Sequence, residues 1–150
     1  MTPDEILDSI SHKVTYPMAI SLKTSAALDS GFYVSGQIAM RNGVLVATGL
    51  VGNEVTLEQA QECARQCAIN ILASLKKDLG SLDSIKRIAR IAVYIASADG
   101  FTDQHLVAHG ASQLFLEVFG PEIGSHTRTA IGVKSLPLNT PVEVDAIIVN

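Results

Sequence analysis

Arg128-Thr-Ala-Ile-Gly-Val-Lys-Ser-Leu-Pro-Leu-Asn-Thr-Pro-Val-Glu-Val-Asp-Ala-Ile-Ile-Val149 reads as two apolar strands, Thr127 to Val133 and Val142 to Val149, joined by a proline-marked connection. Each strand carries a charge where an apolar residue would be the easy choice, Arg128 in the first and Glu143 in the second. Ionised groups within apolar strands are costly unless they are paired or put to use. An arginine at the start of such a strand is suited to gripping a carboxylate through two parallel hydrogen bonds. A glutamate nearby can move a proton or hold a water. Together they suggest a pocket for a small organic acid. Two other readings stay open: the pair salt-bridge each other, or they are edge charges facing water. Glu143 and Asp145 are two apart and so share one strand face.

Working outward, Thr102 or Asp103 opens a helix whose buried face is Leu106, Val107, Ala111, Leu114, Phe115 and Val118, with Gly120-Pro121 as its stop. Before it, Ile88-Ala-Arg-Ile-Ala-Val-Tyr-Ile95 favours a buried strand. Thr56-Leu-Glu-Gln59 fits a capping box, and a helix follows to about Leu79 with Gly80 as C-cap. Its apolar stripe is Ala60, Cys63/Ala64, Cys67, Ile71, Leu75 and Leu79. Further upstream lie strands over Ile20–Leu28, Phe32–Met40 and Val44–Thr48, the last two joined through Asn42-Gly43, the hairpin dipeptide. A short helix and a connection occupy the first 17 or so residues. The order β-β-β-α-β-α-β-β predicts an α+β fold, two helices over one face of a mixed sheet in a single domain. The other sheet face is apolar and uncovered, which predicts self-association.

The chain has 150 residues, 47% of them apolar, no Trp, and a net charge of −4. Its bases form no stripe, which argues against a phosphate-tracking nucleic-acid surface. No apolar run approaches the ~20 residues that span a bilayer, and the start lacks a signal-peptide pattern, so a cytoplasmic protein is expected. Cys63 and Cys67 are expected as small core residues in a reducing compartment. His105 and His109 lack a third ligand and read as solvated helix residues. No metal or cofactor is expected. Gly49-Leu-Val-Gly52 lacks a phosphate-loop ending. Ser35-Gly36-Gln37 interrupts its strand as a bulge does, or as a close approach by a backbone or ligand. His126, two residues before Arg128, borders the pocket or sits in a loop at a strand entrance.

Phe32-Tyr-Val-Ser-Gly-Gln37, Arg128-Thr-Ala-Ile-Gly-Val133, Leu136-Pro137 and Val142-Glu-Val-Asp-Ala146 carry a resemblance to the RidA/YjgF (L-PSP endoribonuclease-like) family. It spans the chain from about Ile20 onward, leaving residues 1–18 as an N-terminal extension. With Gly-Ala-Ser-Gln-Leu-Phe-Leu-Glu-Val-Phe-Gly120, it resembles a divergent branch. The resemblance implies a chorismate-mutase-like fold and a homotrimer with sites in clefts between subunits. It implies hydrolysis of 2-imino or 2-enamino acids to 2-keto acids and ammonia. Arg128 would hold the substrate carboxylate, Glu143 the attacking water, and Ser35 would line the pocket. Three further pocket positions depart from the family pattern: Leu22 stands for a tyrosine, Gly110 for an asparagine and Ala130 for a cysteine. These losses leave carboxylate binding and favour, as the other reading, a non-catalytic carboxylate-binding or protein-interaction module on the same trimer. The family's ribonuclease label finds little support in an acidic chain without a basic groove.

Overall fold

A computed structural model describes residues 1–10 and 25–150. Its elements are α1 (Pro3–Ile10), β1 (Ser25–Leu28), β2 (Gly31–Ile38), β3 (Met40–Arg41), β4 (Val44–Leu45), α2 (Leu57–Leu79), β5 (Arg87–Ala96), α3 (Gln104–Gly124), β6 (Thr127–Val133) and β7 (Val142–Val149). Leu22 and the first half of the strand expected from Ile20 lie outside the described residues.

Five strands form one sheet in the order β1-β2-β7-β5-β6. All neighbours are antiparallel except β5 and β6, which run parallel across the α3 crossover. The side-chain period of two sets the two faces of the sheet. On β7, Val142, Val144, Ala146 and Ile148 are fully buried, while Glu143, Asp145, Ile147 and Val149 are only half-buried. The buried set faces α2 and α3, which meet it with Cys67, Ile71, Leu75, Val107, Leu114 and Phe115. The short α1 rests on α2 and α3 and adds Leu7 to that core. On the other face Leu28, Tyr33 and Ile131 are exposed, so the described residues leave it uncovered, as expected.

The capping box is present: Gln59 N–H donates to Thr56 Oγ1 at 3.2 Å, and Thr56 N–H to Gln59 Oε1 at 2.9 Å. Gly80 closes the helix at φ 83°, returning its N–H to Lys76 O. Cys63 and Cys67 are free and buried. Burial pushes the Cys63 thiol up to about 12 and Cys67 higher than its ordinary value, so both are inert packing groups.

Two expectations need correction. The strand expected over Val44–Thr48 is only the two-residue β4. It pairs with β3 in a separate hairpin, closed by Asn42 (φ 53°) and Gly43 (φ 81°) in the backbone region a type I′ turn requires. The chain leaves the main sheet after Ile38 because Asn70, buried on α2, donates to both Ile38 O (3.1 Å) and Met40 O (3.0 Å). Gln66 bridges Asn70 to Arg41, at 2.9 and 2.8 Å. The second correction concerns Gly120-Pro121, which interrupts α3 without ending it. Gly120, at φ 75°, breaks the helix, and one more turn runs from Pro121 to Gly124. That turn carries the chain back to the start of β6.

Candidate functional site

Arg128 lies on the helix face of β6. Its register partner on β5 is Ile91, a core residue. The guanidinium crosses to α3, where Nη1 donates to Ser112 Oγ at 3.1 Å and Nη2 to the His105 carbonyl at 3.3 Å. Among the described residues it has no carboxylate partner. Two donors are thus spent on holding the fork in place, and the rest remain for an anion. Ser112 in turn sits 2.8 Å from His126 Nε2, and His126 Nδ1 lies 2.7 Å from the Gly124 carbonyl. Burial lowers the His126 pKa; its bond to the Gly124 carbonyl opposes this, and the Arg128 charge adds the least of the three effects. Ser112, Leu116, Ser125, His126 and Arg128 line an open hollow of about 250 Å³. Ala130, two residues on, shares the Arg128 face and packs half-buried against the core. His105 and His109 were expected as solvated residues. His105 remains exposed, but its carbonyl serves Arg128. His109 is half-buried, and its pKa is lowered by burial, by Arg128 and by His105.

Glu143 lies on the opposite, uncovered face, where Tyr94 is its register partner. The pairing of β2 with β7 slips between Val34 and Gln37, so Ser35 and Gly36 form the bulge expected from sequence. A Cβ at Gly36 would meet the Glu143 side chain, whose Oε1 would have to shift. The glycine makes room for the carboxylate. Burial first, then the charge of Asp145, raises the Glu143 pKa. No described residue donates a hydrogen bond to it. Asp145 shares this face, accepts from Tyr94 Oη at 3.1 Å and has Arg90 Nη1 3.9 Å away. Its Oδ1 is buried and accepts no hydrogen bond among the described residues. Ser35 and Gly36, with Ser25, Tyr33 and Asp145, line a second open hollow of about 320 Å³.

The candidate residues therefore fall into two half-sites on opposite faces of one sheet. Arg128 and Ala130 belong to the first, Glu143 and Ser35 to the second, and Leu22 lies outside the described residues. Arg128 and Glu143 form no salt bridge within the chain, being on opposite faces of the sheet. Gly110 joins neither half-site: it is buried on α3, and a side chain there would meet the Gln61 carbonyl on α2. The asparagine expected there has no room, because the helices touch backbone to backbone. Sequence reading missed Ser112 and Tyr94. A signal for Ser112 existed, since His105, His109 and Ser112 stand at i, i+4 and i+7, a polar stripe along one side of the helix. Among the described residues no group of three or more His, Cys, Asp or Glu could hold a metal, and no helix is long and apolar enough to cross a membrane.

Such a two-layer α+β protein, with a cationic half-site among its helices and an acidic one on its bare sheet, defines a class. Residues 19–147 match the family model described as "YjgF/chorismate mutase-like, putative endoribonuclease", and the chain belongs to that family. It is 41% identical over 116 residues to Protein TCP17 of Trypanosoma cruzi, covering 77% of this chain and 72% of that one. The crystal structure of Atu1372 from Agrobacterium tumefaciens, a protein of unknown function, is 40% identical with a TM-score of 0.87, covering 98% and 91% of the two chains. E. coli TdcF, solved with bound serine, shares the fold at 21% identity and a TM-score of 0.60, over 93% of each chain.

Proposed function

We propose that this protein hydrolyses small 2-imino or 2-enamino acids to 2-keto acids and ammonia, in a cleft between subunits of a homotrimer. One protomer supplies Arg128 to hold the carboxylate, and its neighbour supplies Glu143 and Ser35. The observation that carries this reading is the division of the site. Arg128 is oriented and unpaired by acid, Glu143 has its pKa raised by burial and by Asp145 and receives no hydrogen bond from a described residue, and the sheet lies between them. A heterologous contact that sets the helix-side hollow of one chain against the uncovered sheet face of the next completes a site at each interface of a ring. It would also bring a donor to the lone Asp145 Oδ1.

The chemistry asks little of the protein. An imine carbon is already electrophilic, so holding the carboxylate and orienting a water are the main tasks. A glutamate with a raised pKa can accept the water's proton and return it nearer to neutral pH than an ordinary carboxylate. The bound serine of TdcF, a small amino acid, supports a ligand of this size in the family. A second reading, a non-catalytic carboxylate-binding module on the same trimer, is favoured by Ala130, which offers no polar side chain to a substrate.

The test is to generate 2-iminopropionate or 2-iminobutyrate in situ and follow its loss with and without the protein. We expect acceleration that Arg128→Ala and Glu143→Gln each abolish. Retained 2-keto acid binding without acceleration would support the binding module instead.

A further inference from the structure

The Ser112–His126 pair beneath Arg128 has no part in the chemistry above, yet its geometry is that of a proton relay. His126 Nδ1 faces a carbonyl oxygen, which can only accept, so Nδ1 carries the hydrogen. In the neutral ring Nε2 is then bare. The 2.8 Å contact must have Ser112 Oγ–H donating to Nε2, while Ser112 Oγ accepts from Arg128 Nη1. In this state the serine proton is turned inward and the pocket sees no hydroxyl donor. Protonation of Nε2 reverses the contact. Nε2–H then donates to Oγ, which already accepts from Arg128, and the hydroxyl hydrogen is freed to point into the hollow.

We propose that Ser112 donates directly to the C2 substituent of an acid held by Arg128, with His126 behind it as the proton store, so that ligand binding takes up a proton. This rests on the function proposed above and extends it. In the reaction, water adds to C2 and passes one proton to Glu143. The departing nitrogen receives the Ser112 Oγ proton while His126 Nε2–H reprotonates the serine. Starting from the protonated imine, the C–N bond breaks with its electron pair on nitrogen as the C2 hydroxyl proton passes to solvent, giving the keto acid and ammonia; Glu143 then returns its proton to solvent, and His126 is left neutral for the next one.

The surroundings suit this role. Burial does most to keep the His126 ring neutral, and Arg128 on β6, the charged group acting on it, adds a smaller effect that a bound anion offsets. From α3, His105 and His109 stand around the same guanidinium, and Phe115 meets the His126 ring edge-on at 5.8 Å. Among the described residues no acid pairs with His126. An anion bound to Arg128 therefore cancels the repulsion and makes Nε2 easier to protonate. By linkage, lower pH must tighten anion binding by the same factor.

Pyruvate is the probe. Calorimetric titration near pH ~6, close to an ordinary histidine pKa, in two buffers of different ionisation enthalpy reads proton uptake directly. We expect uptake in wild type and its loss in His126→Gln. A glutamine oxygen can still accept from Ser112 and keep Arg128 oriented. Ser112→Ala should also lose the uptake. An NMR titration of the His126 ring in wild type serves as a second readout should a variant misfold: saturating pyruvate should raise its pKa. Binding with no uptake, uptake that survives His126→Gln, or an unmoved His126 pKa overturns the relay alone. Wild type that fails to bind pyruvate overturns the relay and the carboxylate site together.

Discussion

Replacing Gly110 with alanine tests the packing of the two long helices and, with it, the meaning of a departure from the family pattern. In isolation the change favours the helix by about 1 kcal/mol, because glycine is the poorer helix former. Here the added Cβ would stand 2.8 Å from the Gln61 carbonyl carbon and 3.1 Å from its Cα, besides striking the carbonyl oxygen. These are backbone atoms of α2 and cannot swing away as a side-chain tip can. The helices are further pinned by Gln61 Nε2, which donates to Leu106 O at 2.8 Å. Overpacking a rigid contact costs roughly 1–3 kcal/mol, and this contact belongs at the upper end, so the net loss is about 2 kcal/mol. For a chain of this length, roughly 2–4 °C per kcal/mol gives a Tm lower by about 4–8 °C. Thermal unfolding by circular dichroism, with protein concentration held fixed because any self-association would shift Tm, measures it. Gly110→Asn, which places the family's residue here, should fall further and gain no activity. A Tm unchanged or raised in Gly110→Ala would refute the close helix contact.

Asn70→Ala strips donors from the Ile38 and Met40 carbonyls and leaves Gln66 unmatched, so it should lower stability by about 2–3 kcal/mol in chemical denaturation. Glu143→Gln should stabilise the protein at pH 8 while abolishing activity. The folded pKa of Glu143 is raised, so the folded state holds this proton more tightly, and the favourable contribution present in acid is lost as pH rises from about 4 upward. The gap in Tm between variant and wild type should therefore close in acid, and a gap independent of pH would contradict the assignment. Arg128→Lys should weaken pyruvate binding at least about tenfold with little change in Tm, because an ammonium cannot reproduce the planar fork that spans Ser112, His105 and a ligand.

Elements with strong local signals were legible in the sequence. The Thr56 capping box, Gly80, the Asn42-Gly43 turn and the last two strands are where their residues predict, because each is decided by neighbours in the chain. What sequence could not supply was decided by distant residues. Asn70 pulls the chain out of the sheet after Ile38, which shortens the expected third strand. Gly110 looks like a lost pocket residue until α2 is seen lying against it. The bulge at Ser35 and Gly36 was visible, but the Glu143 carboxylate that lies against it, more than a hundred residues on, was not. Arg128 and Glu143 stand out in the sequence as charges needing a reason. Their separation onto two faces follows from register, since Arg128 faces the same way as Ile91 and Glu143 the same way as Tyr94.

That separation makes the two halves of the proposed site genetically exchangeable. A chain lacking Arg128 still carries an intact acidic half, and a chain lacking Glu143 an intact cationic one. Unfolded and refolded together in equal amounts, Arg128→Ala and Glu143→Gln, each inactive alone, would give about three-quarters mixed rings, with about one intact site in three in each. About a quarter of the wild-type sites would reappear from two dead proteins, and a site confined to one chain could never be rebuilt in this way.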